Sequence, residues 1–291
     1  MAHCTTPEAE QLLDKEIPVL DKGFIRLVDY MGSDDRIVQA ARVSYGEGTK
    51  SYREDRGLIH YLLRNAHTSP FEQVSLTFHT KMPVFVARQW VRHRTARLNE
   101  ISGRYSIMKD EFFVPSLDSI AAQSSDNKQG RDEQPLPPEQ AQAVRDGLIE
   151  EQRTAFGLYN ERIEQGLARE LCRVNLPLSL YTEWYWQIDL HNLFHFLKLR
   201  MDHHAQAEIR AYAEAMFEVV KAVCPLAAEA FEQHVLGAVH FSAQEFAALK
   251  RHLVESGNED LDGVSAAAEK EGMPSRETER LLAKLRTGRN V

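Results

Sequence analysis

Residues 73–105 read QVSLTFHTKMPVFVARQWVRHRTARLNEISGRY, and this stretch predicts a strand, a helix, a loop and the beginning of a second strand. Val74, Leu76 and Phe78 alternate with polar residues, which is typical of a strand with one buried face. Pro83 stands where the helix is expected to begin, because a proline at the first helical position loses no helical hydrogen bond. The periodicity therefore changes from strand to helix within one short segment.

The rest of the chain is mainly helical in pattern. Further strands are predicted at 23–31, 104–115 and 179–188. Helices are predicted at 34–43, 53–66, 83–94, 139–165, 168–174, 190–200, 205–223, 226–235, 242–256 and 276–286. Few strands and many helices, without regular strand–helix alternation, indicate an α+β fold.

The composition is that of a soluble globular protein. The 291 residues include 43 acidic and 35 basic side chains, for a net charge of −8, and 43% of residues are hydrophobic. Three widely spaced cysteines indicate reduced thiols rather than a disulfide framework. The N-terminus is acidic, and no segment approaches the roughly 18 apolar residues of a membrane helix. These observations predict a cytoplasmic enzyme with no membrane partner.

A local excess of positive charge marks residues 88–105. The segment has five arginines and a single acidic residue, Glu100, in a chain that is acidic overall. Such a patch is more typical of a pocket for one small anionic ligand than of a general polyanion-binding surface. Arginine suits that role because its planar fork grips phosphate or carboxylate with two hydrogen bonds and stays charged.

Two other interpretations of this patch stay open. The arginines could form a solvated, salt-bridged helix face, although few acidic residues lie near them, and Trp90 and Val91 are interleaved with them. A nucleic-acid-binding module is the second alternative. The net charge of −8 argues against it, because phosphate contacts supply most of that kind of affinity. We therefore expect no nucleic-acid partner.

Histidines form a second candidate group. His191 and His195 lie four positions apart on one predicted helix, and His203 and His204 follow Asp202. The zinc-binding pair of this spacing carries a glutamate between its histidines, and none is present here. We predict no metal, while a metal-dependent hydrolase that uses His191, His195 and His204 remains the alternative.

The usual nucleotide and serine-nucleophile motifs are absent from the sequence. It contains neither G-x-G-x-x-G after a strand nor G-x-x-x-x-G-K-[ST], and it has no G-x-S-x-G. Cys172 and Cys224 fall on helix segments with an apolar pattern, which favours a structural role over an activated thiol. Any bound nucleotide must therefore be held in another way.

One motif within the opening stretch carries a family resemblance. Residues 92–105 resemble the signature R-H-R-x-x-S-x-N-E-x-S-x-R-Y of the flavin-dependent thymidylate synthases, with Arg97 at the position of the first serine. Further segments that resemble the family lie at 67–72, 79–91, 173–182 and 199–206. The resemblance spans residues 22–235, and the role of Arg97 is left open.

The resemblance implies a single α+β domain in which an antiparallel sheet packs with several long helices. It divides the chain into an N-terminal lead-in at 1–21, a flavin-dependent thymidylate synthase domain at 22–240 and a helical C-terminal extension at 241–291. Within the domain, the polar segment 118–138 ends in prolines and is predicted to be a variable surface loop.

The resemblance also implies an activity, which is the synthesis of dTMP from dUMP by reductive methylation. The carbon unit comes from 5,10-methylenetetrahydrofolate, and the hydride comes from FAD that NADPH has reduced. The family forms homotetramers whose active sites draw on neighbouring subunits. It uses no cysteine nucleophile, and Ser102 is predicted to contact the ligand rather than to attack it, because no histidine–carboxylate base is evident beside it.

Motif positions in the family imply the site residues. The predicted FAD contacts are His67, Ser69, Arg92, His93, Arg94, Glu100, Asp189, Leu190, His191 and His195. The predicted dUMP contacts are Gln89, Trp90, Val91, Arg92, Glu100, Ile101, Ser102, Gly103, Arg104, Arg173 and Arg200. Arg200 is the predicted catalytic residue, because a guanidinium at the uracil edge would stabilise the negative charge that develops there. At 189–195 the chain departs from the commoner family form, which has Asn-x-Arg and then Asn.

Overall fold

The computed structural model describes residues 4–43, 52–125, 128–255 and 261–287. The chain divides into two compact units, Met1–Gly237 and Ala238–Val291. No helix within the described ranges is both long and apolar enough to cross a membrane. Residues 126 and 127 of the predicted loop and residue 256 of a predicted helix lie outside those ranges.

A five-stranded antiparallel sheet forms the centre of the first unit. Its strands are β1 (Glu16–Val19), β2 (Gly23–Met31), β3 (Ser75–Pro83), β4 (Arg97–Glu100) and β7 (Tyr181–Asp189). They lie in the order β1-β2-β3-β7-β4, and every neighbouring pair is antiparallel. Two shorter strands, β5 (Ala121–Gln123) and β6 (Arg131–Pro135), form a separate hairpin. This sheet confirms the predicted α+β class.

Helices make up much of the rest of the first unit, and several of them pack on the sheet. Those of the first unit are α1 (Pro7–Glu10), α2 (Asp34–Ala41), α3 (Tyr52–Arg64), α4 (Val84–Trp90), α5 (Pro138–Glu164), α6 (Arg169–Cys172), α7 (Leu190–Arg200), α8 (Ala207–Val223) and α9 (Pro225–Phe231). A π-helical segment, Glu232–Leu236, continues α9. α8 packs on β1 and β2, and α7 packs on β7 and on α8.

An aromatic cluster fixes α4 against the covered face of the sheet. Trp90, the last residue of α4, is 0% exposed. Its ring meets those of Trp184 and Trp186 edge-on, with centroids 5.5 and 5.4 Å away, and lies tilted on Phe196 at 5.0 Å. Edge-to-face pairs add to the stabilisation that burial alone provides. The arginine segment that follows α4 is thereby anchored beside β7 and α7.

The opposite face of the sheet is polar, as the alternation in β3 predicted. His79 of β3 lies stacked on Tyr185 of β7, with ring centroids 4.8 Å apart. Arg26 of β2 hydrogen-bonds to Nδ1 of the same histidine at 3.0 Å. The side chains of this face are therefore joined to one another by polar and stacking contacts across neighbouring strands.

The predicted strand at 104–115 is wrong. Residues 102–105 instead form a turn, in which the Tyr105 amide donates to the Ser102 carbonyl at 3.0 Å. Only an isolated bridge joins Phe112 to Leu180. The strand forms earlier, at Arg97–Glu100, where an irregular connection was expected from Asn99 onward, because the edge of β7 supplies pairing partners there.

The lead-in and the loop at 118–138 contain regular structure that the sequence did not predict. Residues 1–21 were expected to be a polar lead-in, but β1 pairs with β2, and Glu10 of α1 accepts a hydrogen bond from the Tyr30 hydroxyl at 2.6 Å. The β5–β6 hairpin lies within the predicted loop, and Arg131 of β6 pairs with Glu208 of α8 at 2.8 Å. The hydrogen bond between Tyr30 and Glu10 and the ion pair between Arg131 and Glu208 join residues that are 20 and 77 positions apart, so no local pattern predicts them.

The second unit consists of the helices α10 (Ala243–Glu255), α11 (Asp262–Lys270) and α12 (Ser275–Thr287). The predicted capping box of α10 is confirmed. The Ser242 amide donates to the Glu245 carboxylate at 2.7 Å, and the Glu245 amide donates to the Ser242 hydroxyl at 3.2 Å. α11 was not predicted.

Candidate active site

The backbone holds the arginine segment beside the edge of the sheet. After Trp90 the chain makes a turn in which the His93 amide donates to the Trp90 carbonyl at 3.0 Å. It then forms β4, which pairs with β7 from Arg97 to Glu100. Because the two strands are antiparallel, residues before β4 lie near the end of β7 and the start of α7. Residues after β4 lie near the start of β7.

A cavity of about 290 Å³ lies at the first of these ends. Its lining includes Arg92, His93, Arg94, Asn192, His195 and Arg200. Arg200 donates from Nε to Nε2 of His93 at 3.0 Å, and from Nη2 to the Gln89 carbonyl at 3.2 Å. The structure therefore brings the predicted catalytic arginine into direct contact with the signature motif, which lies 107 positions earlier at His93.

This first cavity is positively charged. Within the described ranges, Arg92, Arg94 and Arg200 form no ion pair with a carboxylate. Burial lowers the pKa of Arg200 from its ordinary value. Burial, together with the nearby Arg200 and His195, lowers the pKa of His93 to about 4, so this imidazole is neutral at pH 7. Three cations without protein counterions favour an anionic ligand such as a phosphate.

A larger cavity of about 770 Å³ adjoins the first one, and both are lined by Thr95 and Ile188. Asp189 lines the larger cavity and also caps α7, because its carboxylate accepts from the amide of Asn192 at 2.9 Å and from its side-chain nitrogen at 2.7 Å. Arg97 lines the same cavity and donates to Gln187 at 3.5 Å. The residue that departs from the family signature thus lies beside a predicted flavin contact.

A second group of predicted site residues lies at the other end of β4. Arg104 pairs with Glu170 of α6, with 3.1 Å between Nε and Oε2. Gly103 lies so close to Arg173 that a Cβ on the glycine would come within 3.0 Å of the arginine Cδ. The hydroxyl of Ser102 accepts from the Arg104 amide at 3.3 Å. The predicted dUMP contacts after β4 are therefore assembled with Arg173, but apart from the cavity at Arg200.

Glu100 begins this second group and is oriented by β7. The Thr182 hydroxyl donates to its carboxylate at 2.6 Å. Ile101, which follows, is partly exposed, and its amide donates to the Glu183 carbonyl at 2.9 Å. The last residue of β4 is thus held in place by side-chain as well as backbone bonds.

Two predicted contacts have side chains that a ligand does not reach in this structure. Trp90 and Leu190 are both 0% exposed and belong to the hydrophobic core. Val91 is partly buried and packs against the same core. Any ligand contact at these positions would have to be made by the backbone, since motif position alone does not separate backbone from side-chain contacts.

Three further predicted FAD contacts lie outside both cavities. His67 and Ser69 are exposed in the connection after α3, where the His67 ring meets that of Tyr61 at 5.7 Å. His191 is partly exposed on the first turn of α7 and lines neither cavity. The isolated chain does not bring these three residues to the arginine cluster.

Sequence reasoning missed several residues of the site. Asn192 and Thr95 line the first cavity, and Glu170 is the partner of Arg104. Gln206 hydrogen-bonds to the side chain of Gln89, and it lies within one of the segments that resemble the family. That segment was the only sequence signal for Gln206, because a single glutamine has no diagnostic pattern of its own.

The alternative metal site is not assembled. Among the described residues, the group whose ligand atoms come together is Asp202, His203 and His204, and all three are exposed. His191 and His195 do not belong to it. The three histidines proposed for a metal-dependent hydrolase therefore do not share a site.

The fold and the two arginine-containing clusters suit a protein that binds small anionic ligands, and comparison with known proteins identifies its family. Residues 26–226 match the family described as "Thymidylate synthase complementing protein". A flavin-dependent thymidylate synthase of Treponema denticola is 60% identical over 279 residues, which cover 96% of this chain and 100% of that protein. A flavin-dependent thymidylate synthase of Treponema pallidum is 56% identical, and the match covers 94% of this chain and 90% of that protein. The chain belongs to the flavin-dependent thymidylate synthase family.

A solved structure agrees with this family assignment. The UMP/dUMP methylase PolB from Streptomyces cacaoi, bound with 5-Br dUMP, superimposes with a TM-score of 0.68 at 32% sequence identity. The match covers 75% of this chain and 98% of PolB. It supports the α+β fold with its antiparallel sheet.

Proposed function

We propose that this protein converts dUMP to dTMP by reductive methylation. The carbon unit is taken from 5,10-methylenetetrahydrofolate, the hydride comes from NADPH-reduced FAD, and no enzyme cysteine acts as nucleophile. The observation that carries the proposal is the cavity in which Arg92, Arg94 and Arg200 lack carboxylate partners among the described residues, in a chain of this family.

The residues of the first cavity fit a flavin cofactor. FAD, when bound, supplies the redox chemistry of the reaction. Arg92 and Arg94 offer paired donors for its pyrophosphate, and neutral His93 and the exposed His195 can hydrogen-bond to its polar edges. The adjoining cavity at Asp189 extends the available space. His67, Ser69, Glu100 and His191 remain proposed FAD contacts.

The residues after β4 fit a pyrimidine nucleotide. Arg104 and Arg173 can bind a 5′-phosphate, and Gly103 lets the Arg173 side chain pass close to the backbone, because a Cβ there would come within 3.0 Å of the arginine Cδ. Arg200 is suited to the uracil ring. It keeps its charge while lacking a carboxylate partner among the described residues, so it can stabilise negative charge that develops on the carbonyl oxygens.

Assembly into a homotetramer would reconcile these two groups. In one chain, β4 separates them by about 10 Å, the length of a four-residue strand. A nucleotide held by Arg104 and Arg173 of one copy and by Arg200 of another would join both halves. Light scattering is expected to give a mass near four chains, and a monomer with full activity would contradict this part of the proposal.

The thiols are in settings that do not favour nucleophilic attack. Cys172 is buried and donates to the Leu167 carbonyl at 3.4 Å. Burial, with Asp34 and Cys4 nearby, raises the pKa of the Cys224 thiol well above its ordinary value. Cys4 is partly buried and hydrogen-bonds to Ser33 at 2.9 Å. These contacts support direct transfer of hydride from the reduced cofactor.

We further propose that the enzyme works in the cytoplasm on small molecules, with neither nucleic acid nor membrane as partner. The net charge of −8 supports the first exclusion, because nucleic-acid affinity depends mainly on neutralising phosphates. Titration with random RNA at physiological salt tests it, and saturable binding there would contradict it.

A spectroscopic experiment tests the proposed function. The purified protein should be yellow or become yellow when loaded with FAD. NADPH should bleach the flavin absorption when dUMP is present, and addition of 5,10-methylenetetrahydrofolate should then yield dTMP. A protein that cannot be loaded with FAD, or one that binds FAD but forms no dTMP from these co-substrates, would refute the proposal.

A further inference from the structure

Arg200 is fixed by two hydrogen-bond acceptors on one neighbouring segment. Its Nε donates to Nε2 of His93 at 3.0 Å, and its Nη2 donates to the Gln89 carbonyl at 3.2 Å. The two donor atoms are separate corners of a planar group. Two acceptors at different corners therefore set the orientation of the guanidinium plane as well as its position.

The bond to Arg200 determines which nitrogen of His93 carries a proton. A guanidinium offers donors only, so His93 Nε2 must present a lone pair. The ring is neutral, because burial and the neighbouring Arg200 and His195 lower its pKa to about 4. The single ring proton must then lie on Nδ1.

The His93 ring is also held in place by its surroundings. It packs edge-on against Phe196, with centroids 4.9 Å apart at 74°, and Phe196 is fully buried. Its backbone amide is bonded to the Trp90 carbonyl at 3.0 Å. The ring thus packs against the aromatic cluster of the core while it lines the cavity.

Nδ1 of His93 is the one ring nitrogen left for a ligand. Among the residues that the structure describes, none forms a hydrogen bond with this atom. Because His93 lines the cavity, Nδ1–H is the donor that this ring can offer to a ligand there, and the groups that suit it are carbonyl, phosphate or unprotonated ring-nitrogen acceptors.

We propose that His93 is a positioning residue with two faces: Nε2 orients Arg200, and this bond commits Nδ1–H to donate to the nucleotide ligand in the cavity. The inference rests on the proposed function, because it gives Arg200 and the cavity their chemical roles. It predicts that loss of the acceptor at Nε2 lowers kcat, whereas loss of the donor at Nδ1 weakens FAD binding.

Two variants separate the two faces. The amide of Gln reaches about as far as Nε2, whereas that of Asn reaches about as far as Nδ1. His93→Asn should therefore keep a donor for the ligand but lose the acceptor for Arg200, so kcat should fall about 10-fold or more while the FAD dissociation constant changes less than about 3-fold. His93→Gln should do the opposite, with kcat at least about 5-fold above that of the Asn variant and FAD binding weakened about 10-fold.

The same substitutions in an Arg200→Lys background test whether His93 acts through Arg200. Lysine keeps a positive charge but has no Nε–H to donate to His93. The loss of kcat caused by His93→Asn should shrink to less than about 2-fold in this background. Equal losses in both backgrounds would overturn the inference, as would identical changes in the same parameter for the Asn and Gln variants. For variants with a low kcat, turnover can be measured by the release of tritium from dUMP labelled at C5.

A measurement on the unmodified full chain tests the inference without relying on variants that must fold correctly. Neutron diffraction at pH 7 should show deuterium on Nδ1 of His93 and none on Nε2. Deuterium on Nε2, or on both nitrogens, would overturn the inference. If the unmodified protein binds FAD and forms dTMP but His93 carries deuterium on Nε2, only this inference fails. If it forms no dTMP, the proposed function fails with it.

Discussion

Arg200 is a partly buried cation whose neighbours are an imidazole nitrogen and a backbone carbonyl. Replacing it with alanine should leave FAD bound, since Arg92 and Arg94 remain, but should lower dTMP formation about 100-fold or more, because the developing charge on uracil loses its donor. Chromatographic measurement of dTMP at saturating dUMP checks the rate, and the flavin spectrum checks loading.

Arg153 provides a matched control for that substitution. It lies exposed on α5 and pairs with Glu150 at 2.6 Å. Arg153→Ala removes the same functional group from the surface and should leave turnover within about 2-fold. Near-normal turnover in Arg200→Ala would refute the role assigned to this guanidinium.

Asp34 illustrates a buried carboxylate outside the candidate active site. It accepts hydrogen bonds from the amides of Leu226 and Ala227 at 2.8 and 3.0 Å, and so caps the first turn of α9. Burial outweighs these bonds and raises the pKa of Asp34 from 3.8 to about 6. The folded state therefore holds this proton more tightly than the unfolded state does.

The stability that Asp34 contributes should be lost as pH rises. The protonated form is favoured by folding, so the contribution is complete below about pH 4 and disappears as pH rises through about 6, a change of about 3 kcal/mol. An asparagine side chain cannot titrate, so Asp34→Asn should lack this dependence. In urea unfolding, the stability of the unmodified chain relative to the variant should therefore fall by that amount between pH 4 and 7. Parallel pH profiles would contradict this.

At the residue scale, the sequence singled out the arginines of the candidate site but not the contacts that hold them. The signature motif identified Arg92 and Arg94 as ligand-binding candidates, and a later segment that resembles the family identified Arg200. The bond between Arg200 and His93 joins positions 107 apart, and no local pattern encodes such a contact. The same holds for Arg104 and its partner Glu170. Many acidic residues in the sequence could pair with an exposed arginine, and no pattern selects Glu170 among them.

At the scale of elements, Trp90 is the largest of the three side chains that α4 buries. Trp90 is a predicted ligand contact by resemblance, yet its ring lies among Trp184, Trp186 and Phe196. Trp90→Phe should lower the free energy of unfolding by about 1–3 kcal/mol, because a smaller ring leaves a cavity in this cluster. Urea denaturation followed by circular dichroism measures the loss.

Tyr185 is a suitable comparison because it is 44% exposed on the other face of the sheet. Tyr185→Phe should change stability by less than about 0.5 kcal/mol. In Trp90→Phe, the dissociation constant for dUMP, measured on folded protein, should stay within about 3-fold. Weakened dUMP binding without loss of stability would contradict a purely structural role for the Trp90 ring.

Elements with strong internal periodicity were predicted well, and those made by long-range pairing were not. β3 and the capped helix α7 follow from alternation and from the N-cap at Asp189. β4 has four exposed residues and no alternation, so only the free edge of β7 explains it. The segment 104–115 has strand-forming residues but finds no continuous partner strand, and it remains irregular.

At the scale of the whole molecule, the hydrophobic core belongs to the first unit. Among the residues that the structure describes, its buried members run from Ala9 to Phe231, and all of them lie in the first unit. The proposed division into a synthase domain at 22–240 and an extension at 241–291 remains a prediction. A chain that ends at Gly237 tests it.

The shortened chain should fold, bind FAD and form dTMP. Because its core is complete, the Tm of the sheet-containing unit should change by less than about 4 °C, which corresponds to about 1 kcal/mol. Calorimetry and the dTMP assay measure both properties, with the full chain as reference. A chain that is insoluble or inactive after this truncation would assign an essential role to residues 238–291.

β4 has a consequence for how ligands at its two ends influence each other. The strand is short, fully exposed and hydrogen-bonded to the sheet along one edge, and a candidate nucleotide-binding group begins at each end. Because β4 is paired with β7 along its whole length, the sheet already orders this strand, and neither ligand has to meet that entropic cost. A ligand at one end therefore leaves the backbone at the other end as it was, and we expect the two groups to bind their ligands independently of each other.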